Sequence, residues 1–291
     1  MKKVLLASMI MATPVFAGGE STMQNPLASA KVDYDLVTVH DGTEQTRKTK
    51  DISIKGEVGE VAGGKLVIGY TKRDEDRKKT IPSANRILSG NEKANILSLK
   101  FTKVQPSWGF WGFGYAMGEG DVSVNFKLGN TLAKGTTTSD LSKYAVFAGT
   151  KVNYQGFEII PMVQYSASNQ KVKDADLKDG NTSSFKFDVA SGKIKQLELS
   201  LFARKKIGAG KFTAGVSYID NNGTNVEYGI TDISTSTRGS IPDPTKRRHM
   251  AYSVAYELPV NDSVTAGVFY RQEKNGKTKT KNTYFSLAYN F

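Results

Sequence analysis

The chain has no cysteine and only two histidines, His40 and His249, among its 291 residues. A disulfide scaffold, a thiolate metal site and a cysteine nucleophile are therefore excluded, and a metal site built from several histidines is not expected. Long apolar runs are also missing, since no stretch reaches the roughly 18 uninterrupted apolar residues of a transmembrane helix. With 38% hydrophobic residues and a mean hydropathy of −0.39, composition alone suggests one large soluble domain or two small ones.

The formal net charge of +12 would suit a nucleic-acid-binding protein, but the N-terminus argues against that class. Residues 1–17 contain Lys2 and Lys3, an apolar stretch over 4–16 and a small residue, Ala17, which together are typical of a cleaved signal peptide. The alternative is a buried N-terminal helix. We expect the mature chain to begin at Gly18 and to be exported, with no nucleic-acid partner, so that the basic excess faces anionic surfaces or solutes.

Segments in which every second residue is apolar dominate the rest of the chain. In residues 250–258, for example, Tyr252, Val254 and Tyr256 alternate with small or polar residues. Similar runs occur at 32–36, 52–58, 66–70, 122–128, 144–152, 157–165, 197–203, 212–218 and 264–270. No segment of helical length carries the 3.6-residue period, so the sequence predicts an all-β chain.

The residue types on the second face of these strands distinguish a soluble β-sandwich from a membrane β-barrel. A sandwich should present a strongly charged outer face, whereas here the second face is mostly Gly, Ala, Ser, Thr, Asn and Gln. The apolar face is bulky and carries Tyr, Phe and Trp toward the strand ends, as in barrels whose large residues contact lipid. Because backbone groups in lipid must pair within the protein, the sheet has to close. The sequence therefore predicts a transmembrane antiparallel up-and-down β-barrel.

Connection lengths support the same architecture. Short connections at 60–64, 118–120, 154–156, 205–210 and 258–262 alternate with long polar ones at 40–49, 72–95, 130–142, 168–193, 221–247 and 273–281. Membrane barrels have short periplasmic turns and longer extracellular loops, so both ends are expected on the periplasmic side. The count is twelve strands if residues 96–117 form one long strand that projects above the membrane. The alternative, with 96–117 and 184–204 both divided, is fourteen.

The predicted domain organisation follows from these segments. Residues 1–17 are the signal peptide, residues 18–30 a periplasmic N-terminal lead, and residues 31–291 the outer-membrane barrel.

The last ten residues carry a family resemblance. Phe285, Leu287 and Tyr289 alternate before a terminal Phe291, and this pattern resembles the C-terminal strand of Gram-negative outer-membrane β-barrel proteins. The resemblance implies that the barrel-assembly machinery recognises this strand and that it closes against the first strand.

Strand parity predicts which charged residues face the barrel interior. Asp33 and Asp35 belong to this set, and the residues expected to line a pore are Lys55, Lys127, Lys151, Arg204, Arg271, Glu57, Glu158, Glu198 and Glu257. Opposed charges across a narrow interior tune ion selectivity. The alternative is that they pair and fill the barrel, as in small barrels with packed interiors.

The aromatic, basic, glycine-rich and acidic segments of the sequence give further expectations. The aromatics Tyr70, Trp111, Tyr218, Tyr256 and Tyr289 are expected to anchor the membrane interfaces. Segment 72–95 holds seven basic and four acidic residues and 273–281 four basic and one acidic. These residues form either a rim that steers anions or sites for lipopolysaccharide phosphates. The glycines of 109–118 lack the strand-to-helix junction of a phosphate loop, and the acids of 174–179 fail the EF-hand spacing.

The function that these observations favour is a porin or channel for passive diffusion of small hydrophilic solutes, including anionic ones. It needs no cofactor, metal or catalytic residue. Its expected partners are outer-membrane lipid and lipopolysaccharide, the barrel-assembly machinery and the solutes themselves. The alternatives are a non-conducting surface barrel, either an adhesin or a structural protein, and an outer-membrane hydrolase. For the hydrolase, neither His40 beside Asp41 nor His249 near Ser253 forms a recognisable dyad.

Overall fold

The computed structural model describes residues 29–41, 45–81, 86–105, 109–180, 182–189, 192–224, 228–233, 237–241, 248–275 and 278–290. The predicted signal peptide and residues 18–28 of the N-terminal lead lie outside these residues. In the described part of the chain, no helix is long and apolar enough to cross a membrane. The strands, in chain order, are β1 (Ser29–Asp41), β2 (Gln45–Val61), β3 (Gly64–Ile81), β4 (Arg86–Gln105), β5 (Gly109–Leu128), β6 (Thr131–Gly149), β7 (Val152–Tyr154), β8 (Phe157–Val172), β9 (Ala175–Asp179), β10 (Thr182–Val189), β11 (Gly192–Ile207), β12 (Gly210–Thr224), β13 (Tyr228–Asp232), β14 (Thr237–Ile241), β15 (Arg248–Pro259), β16 (Val264–Asn275) and β17 (Thr278–Asn290).

The long strands pair in a closed antiparallel cycle. Within the described residues, its order is β1-β2-β3-β4-β5-β6-β8-β11-β12-β15-β16-β17, and β17 pairs back with β1 from Ser29 opposite Asn290 to Asp41 opposite Thr278. This cycle is the antiparallel up-and-down β-barrel that the alternation predicts. How many strands cross the membrane, twelve or fourteen, stays a prediction. We call the end that carries Ser29 and Asn290 the terminal end and the opposite end the distal end.

Four of the short turns expected at the terminal end are present. Two are tight turns with consecutive positive φ values, at Ala62 (52°) and Gly63 (72°) and at Gln155 (49°) and Gly156 (79°), the conformation that matches the twist of antiparallel strands. The fifth short turn, predicted at 118–120, instead connects β4 and β5. β4 ends at Gln105, which pairs with Gly109 at the start of β5, and 118–120 lies inside β5. The prediction of one strand over 96–117 is therefore wrong, because the chain reverses between Gln105 and Gly109.

Most of the long connections predicted from polarity are strands as well. β3 runs to Ile81, β4 begins at Arg86 and β6 begins at Thr131, inside the segments expected to be loops. The β9–β10 and β13–β14 hairpins join the same sheet through the β6–β9 and β10–β13 pairings. The loop predictions for 72–95 and 130–142 are wrong because hydrogen-bonded strands continue past the apolar belt, where outward residues such as Lys72, Asp74 and Asp76 are polar.

Exposure alternates along each strand with the period of the sequence pattern. On β2, Ile52 and Ile54 are exposed, whereas Asp51 and Ser53 are buried. Buried side chains also touch across strands that are not neighbours, such as Arg271 on β16 and Glu198 on β11, and such contacts are possible only on the inside of the barrel. The bulky apolar face therefore points outward and the small, polar face inward, which is the arrangement of a transmembrane barrel.

An apolar cluster occupies the inner face at the distal end. Its buried members are Val124, Phe126, Ala133, Val172, Ala175, Leu177, Phe185 and Phe187. Phe126 on β5 meets Phe185 on β10 edge to face, with ring centroids 5.0 Å apart. We call this group the distal cluster. Parity had predicted that Val124 and Phe126 face outward, and this is wrong because no turn interrupts β5 at 118–120.

Candidate functional site: the barrel interior

Seven residues of β2, β3, β4, β6 and β8 form a connected polar group inside the barrel, the Arg73 network. Its members are Asp51, Arg73, Glu75, Arg77, Glu92, Ser139 and Gln170, with Thr49 donating to Glu75 over 3.1 Å. Arg73 Nε donates to Asp51 Oδ1 over 2.8 Å, and both side chains are buried. Arg77 contacts Glu75 and, at 2.6 Å, Glu92. Every carboxylate of this network therefore has an arginine partner.

Glu92 extends the Arg73 network from β4 to β6 and β8. Its Oε1 accepts hydrogen bonds from Ser139 Oγ on β6 at 2.6 Å and from Gln170 Nε2 on β8 at 3.2 Å. β8 is three strands from β4 in the cycle. The hydrogen bond to Gln170 therefore crosses the interior between two strands that are not neighbours. It narrows the space through which a solute could pass.

A second group, the Arg271 network, lies among β11, β12, β15 and β16. Arg271 Nη1 is 3.0 Å from Glu198 Oε1, and Arg271 Nε is 2.9 Å from Glu273 Oε1. His249 Nε2 lies 3.4 Å from Glu273 Oε2. Gln196 and Ser200 donate to Glu198, and Ser200 also shares a hydrogen bond with Ser217. Arg271, Glu198 and Glu273 are all buried, so this network is a second polar bridge inside the barrel.

Lys143 on β6 lies between the two networks. It is 1% exposed and close enough to Glu198, Arg73 and Arg271 to interact electrostatically with each of them. Among the residues that the structure describes, none forms a hydrogen bond with its Nζ. Sequence reasoning missed Lys143 because it falls between a segment interpreted as a loop and the apolar run that begins at Tyr144.

The terminal half of the interior carries looser charge pairs. Arg204 Nη1 is 3.4 Å from Glu158 Oε2, and Lys151 Nζ, just beyond the end of β6, is 3.6 Å from Glu158 Oε1. Glu57 pairs with Lys65 at 3.2 Å, and both remain partly exposed. The charge pairs of the terminal half are therefore longer and more exposed than the arginine–carboxylate pairs of the two networks.

The structure places the residues predicted to line a pore as follows. Arg204, Arg271 and Glu198 are buried inside, Lys55, Glu57, Glu158 and Glu257 are half-buried, and Lys151 is exposed in the turn after β6. The prediction for Lys127 is wrong, since its side chain is exposed on the outward face of β5, and the error again comes from the misplaced turn. The side chains of Asp33 and Asp35 lie outside the described part. Whether these residues line a path for solutes stays a prediction.

The acids and arginines of the Arg73 network were missed by sequence reasoning, although a signal for them existed. Arg73 and Glu75 continue the parity of Gly69 and Thr71 beyond the apolar part of β3, and Glu92 continues that of Ala94 and Ile96 on β4. The charges of 72–95 had been assigned to a solvated rim. Instead Arg73, Arg77, Glu75 and Glu92 point inward, so two basic and two acidic residues leave the rim and its net charge is unchanged.

The outward aromatics and the C-terminal strand lie on the face expected for them. Tyr70, Trp111 and Tyr289 are exposed, Tyr218 and Tyr256 half-buried. Phe285 and Leu287 are exposed on β17, which pairs with β1, whereas Phe291 lies outside the described residues. Their roles in membrane anchoring and in assembly stay predictions.

Comparison with known proteins identifies the fold. No protein-family model matches the sequence, and no curated protein matches it either. Among solved structures, the chain is similar to the translocator domain of the autotransporter NalP from Neisseria meningitidis, with 8% identity, 91% of this chain and 88% of that chain covered, and a TM-score of 0.73. It is also similar to the β domain of the Bordetella autotransporter BrkA (9% identity, 91% and 98% covered, TM-score 0.61). A third structure is an outer-membrane channel from Pseudomonas putida F1 (10% identity, 94% and 98% covered, TM-score 0.51). The chain thus has the fold of outer-membrane β-barrel proteins.

Proposed function

We propose that this protein is an outer-membrane channel for small hydrophilic solutes, closed in the observed conformation by the Arg73 and Arg271 networks. The observation that carries the proposal is the content of the interior, where arginine–carboxylate pairs, amides and hydroxyls meet across the barrel. Passage of a solute requires these pairs to part. The solved structures with this fold include an outer-membrane channel, and this supports the same broad role.

The chemistry of the interior favours a channel over a purely structural barrel. Burying an ion pair is often no more stabilising than burying apolar side chains of the same volume, because both charges lose their hydration. A barrel that only needed filling would therefore be served as well by an apolar interior, as found in the distal cluster. Polar networks have a property that apolar packing lacks, since water can replace each broken pair when the interior opens.

One observation favours a second candidate, a surface barrel that does not conduct. Glu75 and Glu198 are no more than 1% exposed, so neither carboxylate contacts bulk solvent. The distal cluster adds an apolar obstruction at the other end, and apolar constrictions block permeation by excluding water. If neither barrier moves, the barrel is a closed scaffold, and adhesion by its distal hairpins becomes the function to test.

The discriminating measurement is single-channel recording of the refolded protein in a planar bilayer under a salt gradient. We expect discrete conductance steps separated by long closed periods. Glu92→Gln should raise the open fraction because it removes the acceptor charge that holds Arg77, Ser139 and Gln170 together. The matched control is Glu119→Gln, which makes the same change on the outward face of β5. A folded barrel that is silent in the wild type and in both variants would instead support the closed scaffold.

The proposal also fixes the orientation and surroundings of the barrel. The terminal end faces the periplasm and the distal end the outside, after export directed by residues 1–17. Lipid and lipopolysaccharide contact the outward face, and the assembly machinery acts on β17 during insertion. No catalytic step is part of the proposal. Cleavage after Ala17 can be checked by mass spectrometry of the protein isolated from outer membranes.

A further inference from the structure

Five lysines lie on the outward face near the distal end of β2, β3, β16 and β17. We call them the basic band: Lys48, Lys78, Lys274, Lys279 and Lys281. All five side chains are exposed. The sheet joins these strands through β1, since Lys281 on β17 and Lys48 on β2 both stand opposite Thr38. The basic band therefore forms one region of the outer wall.

Carboxylates contribute little to this region. The acid of β16, Glu273, is buried inside and bound to Arg271. In the distal half of the strands that carry the band, the outward acids are Asp74 and Asp76, and Asn91 Nδ2 donates to them over 2.7 Å and 3.0 Å. Among the residues that the structure describes, none forms an ion pair with a lysine of the basic band. The band therefore presents an excess of positive charge to its surroundings.

Two lysines of the basic band directly oppose each other. Lys274 on β16 pairs in register with Lys279 on β17, and like charges at opposed positions of neighbouring strands are destabilising. An anion between the two ammonium groups removes this cost. The last exposed apolar or aromatic side chains on the membrane side, such as Phe285 on β17 and Ile52 on β2, are only a few residues away. The band thus lies where anionic lipid headgroups meet the barrel wall.

A polar cleft of about 350 Å³ adjoins the basic band on the outward face of β2 to β5. Its lining includes Lys48, Lys78, Ser89, Asn91, Ser123 and Asn125. Hydroxyl and amide side chains both donate and accept hydrogen bonds, as sugar hydroxyls require, and ammonium groups bind phosphate. The one acid in the described lining, Asp76, is the acceptor of Asn91. The cleft therefore matches a phosphorylated sugar.

We propose that the basic band and the adjoining cleft bind the phosphorylated sugar headgroup of lipopolysaccharide. Its phosphates lie against the lysines, its sugars extend into the cleft, and its acyl chains follow the apolar outward face on the membrane side. Phosphatidylglycerol, by contrast, offers one phosphate and no sugar ring. The site deepens the proposed function, since it rests on the orientation in which the distal end faces outside, but it does not depend on conduction.

The test is native mass spectrometry of the detergent-folded barrel with purified lipopolysaccharide as the probe. We expect Lys274→Gln/Lys279→Gln to weaken binding about 30-fold, because each basic residue near an anionic lipid surface strengthens binding about fivefold. Lys274→Arg/Lys279→Arg keeps both charges and should bind as the wild type does. The matched control is Lys171→Gln/Lys195→Gln, which removes two exposed lysines from β8 and β11, away from the band.

The ligand is varied in the same assay. Dephosphorylated lipopolysaccharide should bind the wild type as weakly as intact lipopolysaccharide binds Lys274→Gln/Lys279→Gln. Equal affinity of the wild type and that variant, or an equal loss in the control pair, would overturn the site.

Two further results separate the site from the rest of the proposed function. Phosphatidylglycerol retained as tightly as lipopolysaccharide, and through the same lysines, would contradict both the site and the orientation of the barrel. A barrel that is electrically silent in bilayers but binds lipopolysaccharide through the basic band would contradict the channel and leave the site standing.

Discussion

Arg271 gives the sharpest test of whether the interior is held together by buried ion pairs. Its guanidinium contacts Glu198 at 3.0 Å and Glu273 at 2.9 Å, and all three side chains are buried. Arg271→Gln removes the shared cation and leaves two carboxylates facing each other. Removing one partner of a buried pair costs about 3–5 kcal/mol because the remaining charge is left uncompensated. We expect a loss of that size in the free energy of unfolding.

A control of the same chemistry is available on the outside of the molecule. Arg248 lies 3.3 Å from Asp220, but its side chain is 64% exposed, and exposed pairs of this kind contribute about 0–1 kcal/mol. Arg248→Gln should therefore leave the free energy of unfolding almost unchanged. The double variant Arg271→Gln/Glu198→Gln should recover part of the loss, since it removes one of the two unpaired carboxylates.

The assay is urea unfolding of barrels folded into lipid vesicles, followed by the fluorescence of the two tryptophans, Trp108 and Trp111. The slope of the transition must be the same for all variants for their free energies to be compared. If Arg271→Gln is no less stable than Arg248→Gln, the reasoning fails. In that case the Arg271 network is hydrated rather than buried, and it cannot be what closes the interior.

Three further predictions follow from the same structure. Arg204→Glu should shift the reversal potential toward cation selectivity, and an unchanged potential would place Arg204 off the solute path. Phe126→Ala should cost about 3–5 kcal/mol within the distal cluster and speed tryptic cleavage of the β9–β10 hairpin, whereas Phe113→Ala on the outward face should leave the cleavage rate unchanged. Gly215→Ala would place a Cβ in steric overlap with the inward ring of Phe202 and should lower the free energy of unfolding by about 1–3 kcal/mol. Gly56→Ala, whose Cβ has nothing within 4 Å, is its control, and equal stability of the two would refute the packing argument.

Alternation predicted the architecture because each strand has only two faces and lipid selects one of them. Ile52 and Ile54 reveal the lipid-facing side of β2, and every residue of that strand before its bulge then has a known side. Alternation no longer distinguishes a strand from a loop in the part of the barrel beyond the membrane. Beyond Tyr70 the outward residues of β3 are Lys72, Asp74 and Asp76, so strand and loop share one polar composition.

The turn wrongly predicted at 118–120 inverted the predicted side of every residue that follows it on β5. Pro106 was interpreted as an interruption within a long strand, although a proline disrupts strand pairing and is favoured where a chain turns. Placing the turn at 118–120 instead exchanged the two faces for Val124, Phe126 and Lys127. Lys143 was missed for a different reason, since it falls between a segment interpreted as a loop and the apolar run that begins at Tyr144.

The pairing of β1 with β17 has a consequence for how the molecule is made. Ser29 and Asn290 are partners in the sheet although almost the whole chain separates them, and such distant contacts slow folding because a very large loop must close first. Until β17 is available, β1 remains an unpaired edge that can join other chains. The barrel therefore cannot close before nearly the whole chain has been synthesised, and the exposed edge of β1 makes the unfinished chain prone to aggregation.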